Sequence, residues 1–122
     1  MQKLIQTKLH NPPETKGNCF ATCIACFLDI PISEVPTFEE TMETDDWPTN
    51  AFNWLHQKGW EWYSLSDNKH KEGYYLAMGE TSRLGNALHS CIYKNGELYH
   101  DPHPDQTGLT KIIHLNALNK IS

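Results

Sequence analysis

An α+β fold is predicted for this 122-residue chain by three observations. Two helical stripes of apolar residues lie in the first half, from Cys19 to about Leu28 and from about Pro48 to Lys58. From Trp60 onward the pattern changes to short strand-like runs, and no helical stripe returns among them. Helices first and strands after imply an N-terminal helix packed on a C-terminal antiparallel sheet. The length implies one domain, 1–122, because a chain of this size buries roughly two thirds of its unfolded surface around a single core.

The elements follow in order. Lys3 to Thr7 reads as a short extended piece, and Asn11-Pro12-Pro13 as loop, since proline lacks the N–H that helix and central strand need. In the first helix Phe20, Cys23, Ile24, Phe27 and Leu28 fall on one wide stripe, with Asn18 as N-cap, Cys19 as the first helical residue and Pro31 as the stop. Two prolines around Ser33-Glu34-Val35 leave room for one helical turn. Five of the eight residues from Glu39 to Asp46 are acidic, which predicts a solvated loop, with a substrate-gating lid as the functional alternative. Asp46 caps the second helix, Phe52, Trp54 and Leu55 point partly inward, and Gly59 ends it. Strands are predicted at Glu61 to Leu65, Tyr74 to Met78, Ala87 to Tyr93, Glu97 to Asp101 and Lys111 to Leu115.

Composition excludes several function classes. The net charge is −5, from 15 acidic against 10 basic residues, and Arg83 is the sole arginine, so a phosphate-binding surface and a nucleic-acid partner are not expected. The longest apolar run, Cys23 to Leu28, is six residues, against roughly 18 for a membrane span, and Met1 to His10 lacks the apolar centre of a signal peptide. A soluble, cytoplasmic protein with reduced thiols is the expectation. Three of the four cysteines, Cys19, Cys23 and Cys26, share one predicted helix, a poor geometry for disulfides.

The chemistry is carried by Cys19 and by the hairpin that follows much later. A sulfur at a helix start lies beside unpaired N–H groups and the positive end of the helix dipole, which favours thiolate; an adjacent imidazolium would lower the ordinary pKa of about 8.5 further. The segments Ala87 to Tyr93 and Glu97 to Asp101 flank a turn at Asn95-Gly96. If that loop has three residues, His89 lies opposite Asp101 on one face and the two hydrogen-bond; a two-residue turn puts Asp101 on the other face. A histidine backed by a carboxylate is what a cysteine nucleophile needs. The imidazole takes the thiol proton and returns it to the leaving group, while the aspartate fixes the tautomer.

Turn-Cys-helix, then a strand histidine, then an aspartate at the end of the next strand resembles the papain-like cysteine peptidases, especially minimal forms such as bacteriocin-processing and cell-wall-hydrolysing domains. It is most similar to small bacterial and phage proteins with a glutamine near the start, Gly17-Asn18-Cys19-Phe20, Ile30-Pro31 to Val35-Pro36, His89, and Asp101-Pro102-His103-Pro104. The resemblance implies a papain-like fold with Cys19 as nucleophile, His89 as general base and acid, and Asp101 as the orienting residue. It makes Gln6 the oxyanion-hole side chain, with Gln2 as the fallback. The implied reaction is cleavage of a peptide, isopeptide or related amide through a thioester at Cys19, without cofactor or metal. The substrate would be a peptide or protein, a host protein among them. Ser90 and Cys91 are small departures from the apolar residues that the family carries after its histidine.

Other readings stay open at this stage. An acyltransferase would use the same triad, and an inactive papain-like module would only bind a protein partner. The turn from His100 to His103, with Asp101, Asp105 and either His89 or Cys91, has the composition of a metal site. Strand alternation argues against it, because His100 and Asp101 point to opposite faces. The bare pattern Cys19-x3-Cys23-x2-Cys26 matches the cysteines that hold a four-iron cluster, but here it lies on an apolar helix in a chain too small for the barrels that use it. The four tryptophans, Trp47, Trp54, Trp60 and Trp62, are expected in packing.

Overall fold

A computed structural model describes residues 1–8, 10–11, 15–41, 46–65, 72–81 and 88–121. A two-residue pair of strands, β1 (His10–Asn11) and β2 (Thr15–Lys16), leads into helix α1 (Cys19–Leu28). Two short 3₁₀ turns, Ile32–Glu34 and Phe38–Thr41, connect α1 to helix α2 (Trp47–Gln57). Strands β3 (Trp60–Ser64), β4 (Tyr74–Glu80), β5 (His89–Lys94), β6 (Glu97–His100) and β7 (Lys111–Lys120) then form one antiparallel sheet in the order β3-β7-β4-β5-β6. The architecture is α+β, as predicted. No helix of the described residues is long and apolar enough to cross a membrane.

Local signals account for most of these elements. Asp29, at φ 55°, closes α1 two residues ahead of Pro31, its N–H returning to the carbonyls of Ala25 and Cys26. Asp46 caps α2 by accepting the Thr49 N–H, and Gly59, at φ 86°, turns the chain out of it. Phe52 departs from expectation. It is exposed and stacks on His56, while Ala51 and Leu55 take the inward positions. Lys3 to Thr7 forms no strand; Ala87, Pro12, Pro13 and 42–45 lie outside the described residues.

The core has two parts, one on each side of the sheet. Phe20, Ile24, Leu55, Leu76, Ile92 and Leu118 join the helices to one face. On the other face Tyr75, Ala77, Cys91, Tyr93 and Leu115 pack together, with Leu109 from the segment after β6 laid against them. Each large side chain so buried contributes about 1.5–3 kcal/mol, which holds α1 on β5 and fixes where the helix begins relative to that strand. At Gly79, opposite His89, an added Cβ would lie 2.0 Å from the Lys111 carbonyl oxygen, so the β4–β7 irregularity there requires glycine.

The segment 1–8 is organised by α1. It runs along the helix in reverse: the Gln2 N–H reaches the Asp29 carboxylate at the C-terminal end, the Leu4 N–H reaches the Cys26 sulfur, and the Lys8 N–H reaches the Asn18 side chain at the N-terminal end. Gln6 is thereby carried to the end of α1 where Cys19 lies, and its N–H donates to the Pro102 carbonyl at 2.9 Å.

Candidate active site

The β5–β6 hairpin brings His89 and Asp101 together by a route other than the expected one. The turn has two residues, Asn95 and Gly96, both at positive φ (52° and 87°), and Lys94 pairs with Glu97. Continued unbroken, that register would put Asp101 on the wrong face. The register shifts between Tyr93, which pairs with Leu98, and Ile92, which pairs with His100, so Tyr99 is an extra residue, a β-bulge. One step further along, Asp101 stands opposite Cys91, on the face that His89 shares. Of the two loop lengths that the sequence left open, the turn has two residues, and the bulge restores the parity that a three-residue loop would have given.

His89 Nε2 lies 2.6 Å from Asp101 Oδ1, and both residues are buried. Asp101 is held on its remaining lone pairs: Oδ1 also accepts the His103 N–H at 2.9 Å and Oδ2 accepts the Gly108 N–H at 2.9 Å. Gln106 ties the turn further, its side-chain amide donating to the Asp101 carbonyl. Burial pushes the Asp101 carboxyl up, but the hydrogen bonds from His89, His103 and Gly108 outweigh it and hold the group well below the usual carboxylate range. An ionised acceptor at this distance places the histidine proton on Nε2 and leaves Nδ1 as the basic nitrogen.

Cys19 is the first residue of α1, as predicted, and keeps partial exposure. Its sulfur lies against Ser90. Adjacent strand residues point to opposite faces, so Ser90 is on the α1 side of β5 with Ile92, while His89 is on the other side with Cys91 and Asp101. Ser90 thus has a contact role at the sulfur that its small polar side chain did not announce. The thiolate-favouring effect of the helix start is opposed here by two others. Burial, followed by the negative charge of Glu39, pushes the Cys19 thiol up to about 12, and hydrogen bonds from Ser90 and Phe20 offset this only in part.

Glu39 is the residue that sequence reasoning missed. The acidic run predicts a solvated position for it; instead it is buried, and its Oε2 accepts the Phe20 N–H at 2.8 Å in the first turn of α1. Asn18, the expected cap, makes no side-chain bond to the helix and binds Thr7 and Lys8 instead. Nothing in the composition of 39–46 separates Glu39 from its acidic neighbours. The only local signal is its place directly after Phe38, which packs against the Phe20 ring.

The two glutamines separate clearly. Gln2 is at the C-terminal end of α1, with its side chain directed at the Ile30 carbonyl, ten residues of helix away from Cys19. Gln6 is buried at the Cys19 end, and its side-chain amide donates to the Lys8 carbonyl at 2.8 Å, leaving its second N–H for another acceptor.

As to metal ligands, the turn from His100 to His103 does not assemble as one group. His100 Nε2 is directed to the Leu4 carbonyl and His103 Nδ1 accepts the Asp105 N–H. The ligand atoms that do converge among the described residues are those of His89, Cys91 and Asp101, within 4.8 Å of one another. Both oxygens of Asp101 are already engaged by three donors, and 2.6 Å is shorter than the roughly 3.3 Å that separates two ligand atoms each held about 2.0 Å from a tetrahedral ion. The geometry is that of a hydrogen-bonded acid–base pair. No protein family matches this chain, and neither does any curated protein or solved structure.

Proposed function

We propose that the protein is a papain-like thiol hydrolase that cleaves a peptide, isopeptide or related amide bond through Cys19, His89 and Asp101. The observation that carries this reading is the buried pair formed by His89 Nε2 and Asp101 Oδ1 at 2.6 Å. With Nε2 donating to Asp101, Nδ1 accepts the thiol proton as sulfur attacks the carbonyl carbon. The same proton then goes to the leaving amine, the thioester forms, and water resolves it by the reverse sequence. The Cys19 N–H and the Gln6 side-chain amide are the groups assigned to the tetrahedral oxyanion.

An acyltransferase would share every step up to the thioester and differ in the nucleophile that resolves it. Partners follow from the chemistry: a peptide or protein amide, with a host protein among the substrates to screen.

The experiment is turnover, metal content and thermal stability measured on Cys19→Ala, His89→Ala, Asp101→Asn and His103→Ala, with Cys19 adducts followed by mass spectrometry. Cys19→Ala and His89→Ala are expected to abolish turnover and the adduct, with His103→Ala retaining both. Unchanged turnover in Cys19→Ala would rule out the triad.

A further inference from the structure

Glu39 has a place that the acid–base chemistry of Cys19 and His89 does not explain. A carboxylate is buried at the first turn of the helix that carries the nucleophile, with Oε2 2.8 Å from the Phe20 nitrogen. That is the position where a helix start would otherwise stabilise a thiolate, because the first N–H groups and the dipole act on whatever anion lies closest. Only one of the two groups, carboxylate or thiolate, gains fully from it, and each disfavours the charge of the other.

We propose that Glu39 is a positioning residue of this site: it holds the first turn of α1 and keeps Cys19 a thiol until His89 takes the proton during attack. The proposal rests on Cys19 being the nucleophile. Cys19 would then work as a neutral thiol–imidazole pair, quiet toward adventitious electrophiles and activated when a carbonyl is seated against the sulfur.

The charged and titratable groups around the sulfur agree with this assignment. From α1 the neighbour is the buried Cys23 thiol, whose sulfur is directed at the Ser90 carbonyl. From β5 the residue against the sulfur is the uncharged Ser90, and His89 beside it in sequence is paired with Asp101, with the His103 ring 6.4 Å away. From the connection before α2 it is Glu39, then Glu40, whose charge is paired with Lys8 at 2.6 Å. Elements α2 and β3 contribute the uncharged rings of Trp47 and Trp62, packed on Phe20. Lys8 is thus committed to Glu40, and the carboxylate of Glu39 acts on the thiol directly.

The test is the pH dependence of Cys19 alkylation by iodoacetamide on the full chain, with the adduct located by peptide mass spectrometry. In the wild type the rate is expected to keep rising into the alkaline range. Glu39→Gln keeps an acceptor for the Phe20 N–H but removes the charge, and its profile is expected about one pH unit or more lower, so alkylation near pH 7.5 is about tenfold faster. Glu39→Asp keeps the charge and is expected to stay near the wild-type profile. Thermal melts and the absence of label on buried Cys23 and Cys91 report whether each variant is folded. A folded Glu39→Gln whose profile is unmoved or moved upward overturns the proposal. So does a wild-type profile that has already reached its plateau by about pH 7, whatever the variants do. Turnover on the same preparations separates the two ideas. An unmoved Glu39→Gln profile with inactive Cys19→Ala removes Glu39 alone, and a moved profile with active Cys19→Ala removes the triad and with it the catalytic role of Glu39, leaving only its effect on the thiol.

Discussion

Asp101 reaches His89 because Tyr99 is an extra residue in β6: a two-residue turn would have put the carboxylate on the wrong face, and the bulge returns it to within 2.6 Å of the imidazole. Bulges re-aim side chains at the ends of strands, and this one sits two residues from the group it re-aims. The same carboxylate then closes the turn that follows, through the His103 and Gly108 N–H groups. Asp101 is therefore structural as well as chemical.

Replacing it with Ala is expected to lower stability as well as turnover, which departs from the usual view of a strand-end carboxylate. Two backbone N–H groups and the His89 ring lose their acceptor in a buried setting, at about 1–3 kcal/mol for each donor left unmet. Asp101→Asn preserves an acceptor oxygen but presents an amide donor to the site, so turnover should fall by about 10⁴-fold with a smaller loss of stability. Thermal or urea unfolding alongside turnover separates the two variants; equal melting of Asp101→Ala and wild type would contradict the turn-closing role.

Acid should expose the same dependence. The Asp101 carboxyl is held below its ordinary value in the folded state, so its contribution is present above the unfolded pKa of about 3.9 and is lost as pH falls through the lower folded value. The wild type should lose stability more steeply than Asp101→Asn below about pH 4. Parallel unfolding curves across that range would remove Asp101 as a source of acid sensitivity.

Much of this was legible from local pattern, and the rest depended on contacts between distant segments. The α1 stripe, the Asp46 cap, Gly59 and the strand periodicity each act within a few residues, and both helices and β3 to β6 formed near their predicted bounds, whereas β7 runs on to Lys120, five residues past Leu115. The Asn95-Gly96 turn is legible in the sequence but its length is not, nor is the bulge at Tyr99, because a bulge reflects the partner strand and the packing of Tyr99 against Tyr74 and Lys3. Glu39 was hidden for a similar reason. Its acidic neighbours describe an average environment, whereas its own burial comes from Phe38 docking on Phe20, which carries the next residue to the helix start. The dipole argument at Cys19 was incomplete for the same reason, since it left out the carboxylate that occupies that end.

Glu39 also makes a prediction about stability that is independent of catalysis. Burial pushes its carboxyl above the usual range, with N–H donors at the helix start offsetting part of this. A carboxyl whose folded pKa exceeds its unfolded one binds more protons when folded, so the protein loses stability as pH rises from the unfolded value through the folded one. Glu39→Gln carries no such penalty. It should be at least as stable as wild type at neutral pH, and the gap should narrow as pH falls toward the unfolded carboxyl value of about 4.3. Chemical denaturation at several pH values measures this, and a variant that is less stable at neutral pH yet equal in acid would show that the capping charge outweighs its burial.

The last prediction decides between the two glutamines. Residues 1–8 run along α1 in reverse, so each residue of that segment is placed by the helix turn it crosses: Gln2 at Asp29, Leu4 at Cys26, Lys8 at Asn18. Gln6 is held at the Cys19 end by two bonds, from its N–H to the Pro102 carbonyl and from its side-chain amide to the Lys8 carbonyl. Its Oε1 is buried and has no partner among the described residues, so this end of the amide stays in its buried place without contributing a hydrogen bond. A side chain fixed at one N–H and open at the other is suited to donate to an oxyanion that exists only in the transition state. Gln6→Ala should therefore lower kcat by about 10²–10³-fold with little change in KM, while Gln2→Ala leaves both within about twofold. Gln6→Glu keeps the size and loses the donor, so it should resemble Gln6→Ala in kcat. If Gln6→Glu retained wild-type kcat, the second oxyanion donor would have to be sought elsewhere around the start of α1.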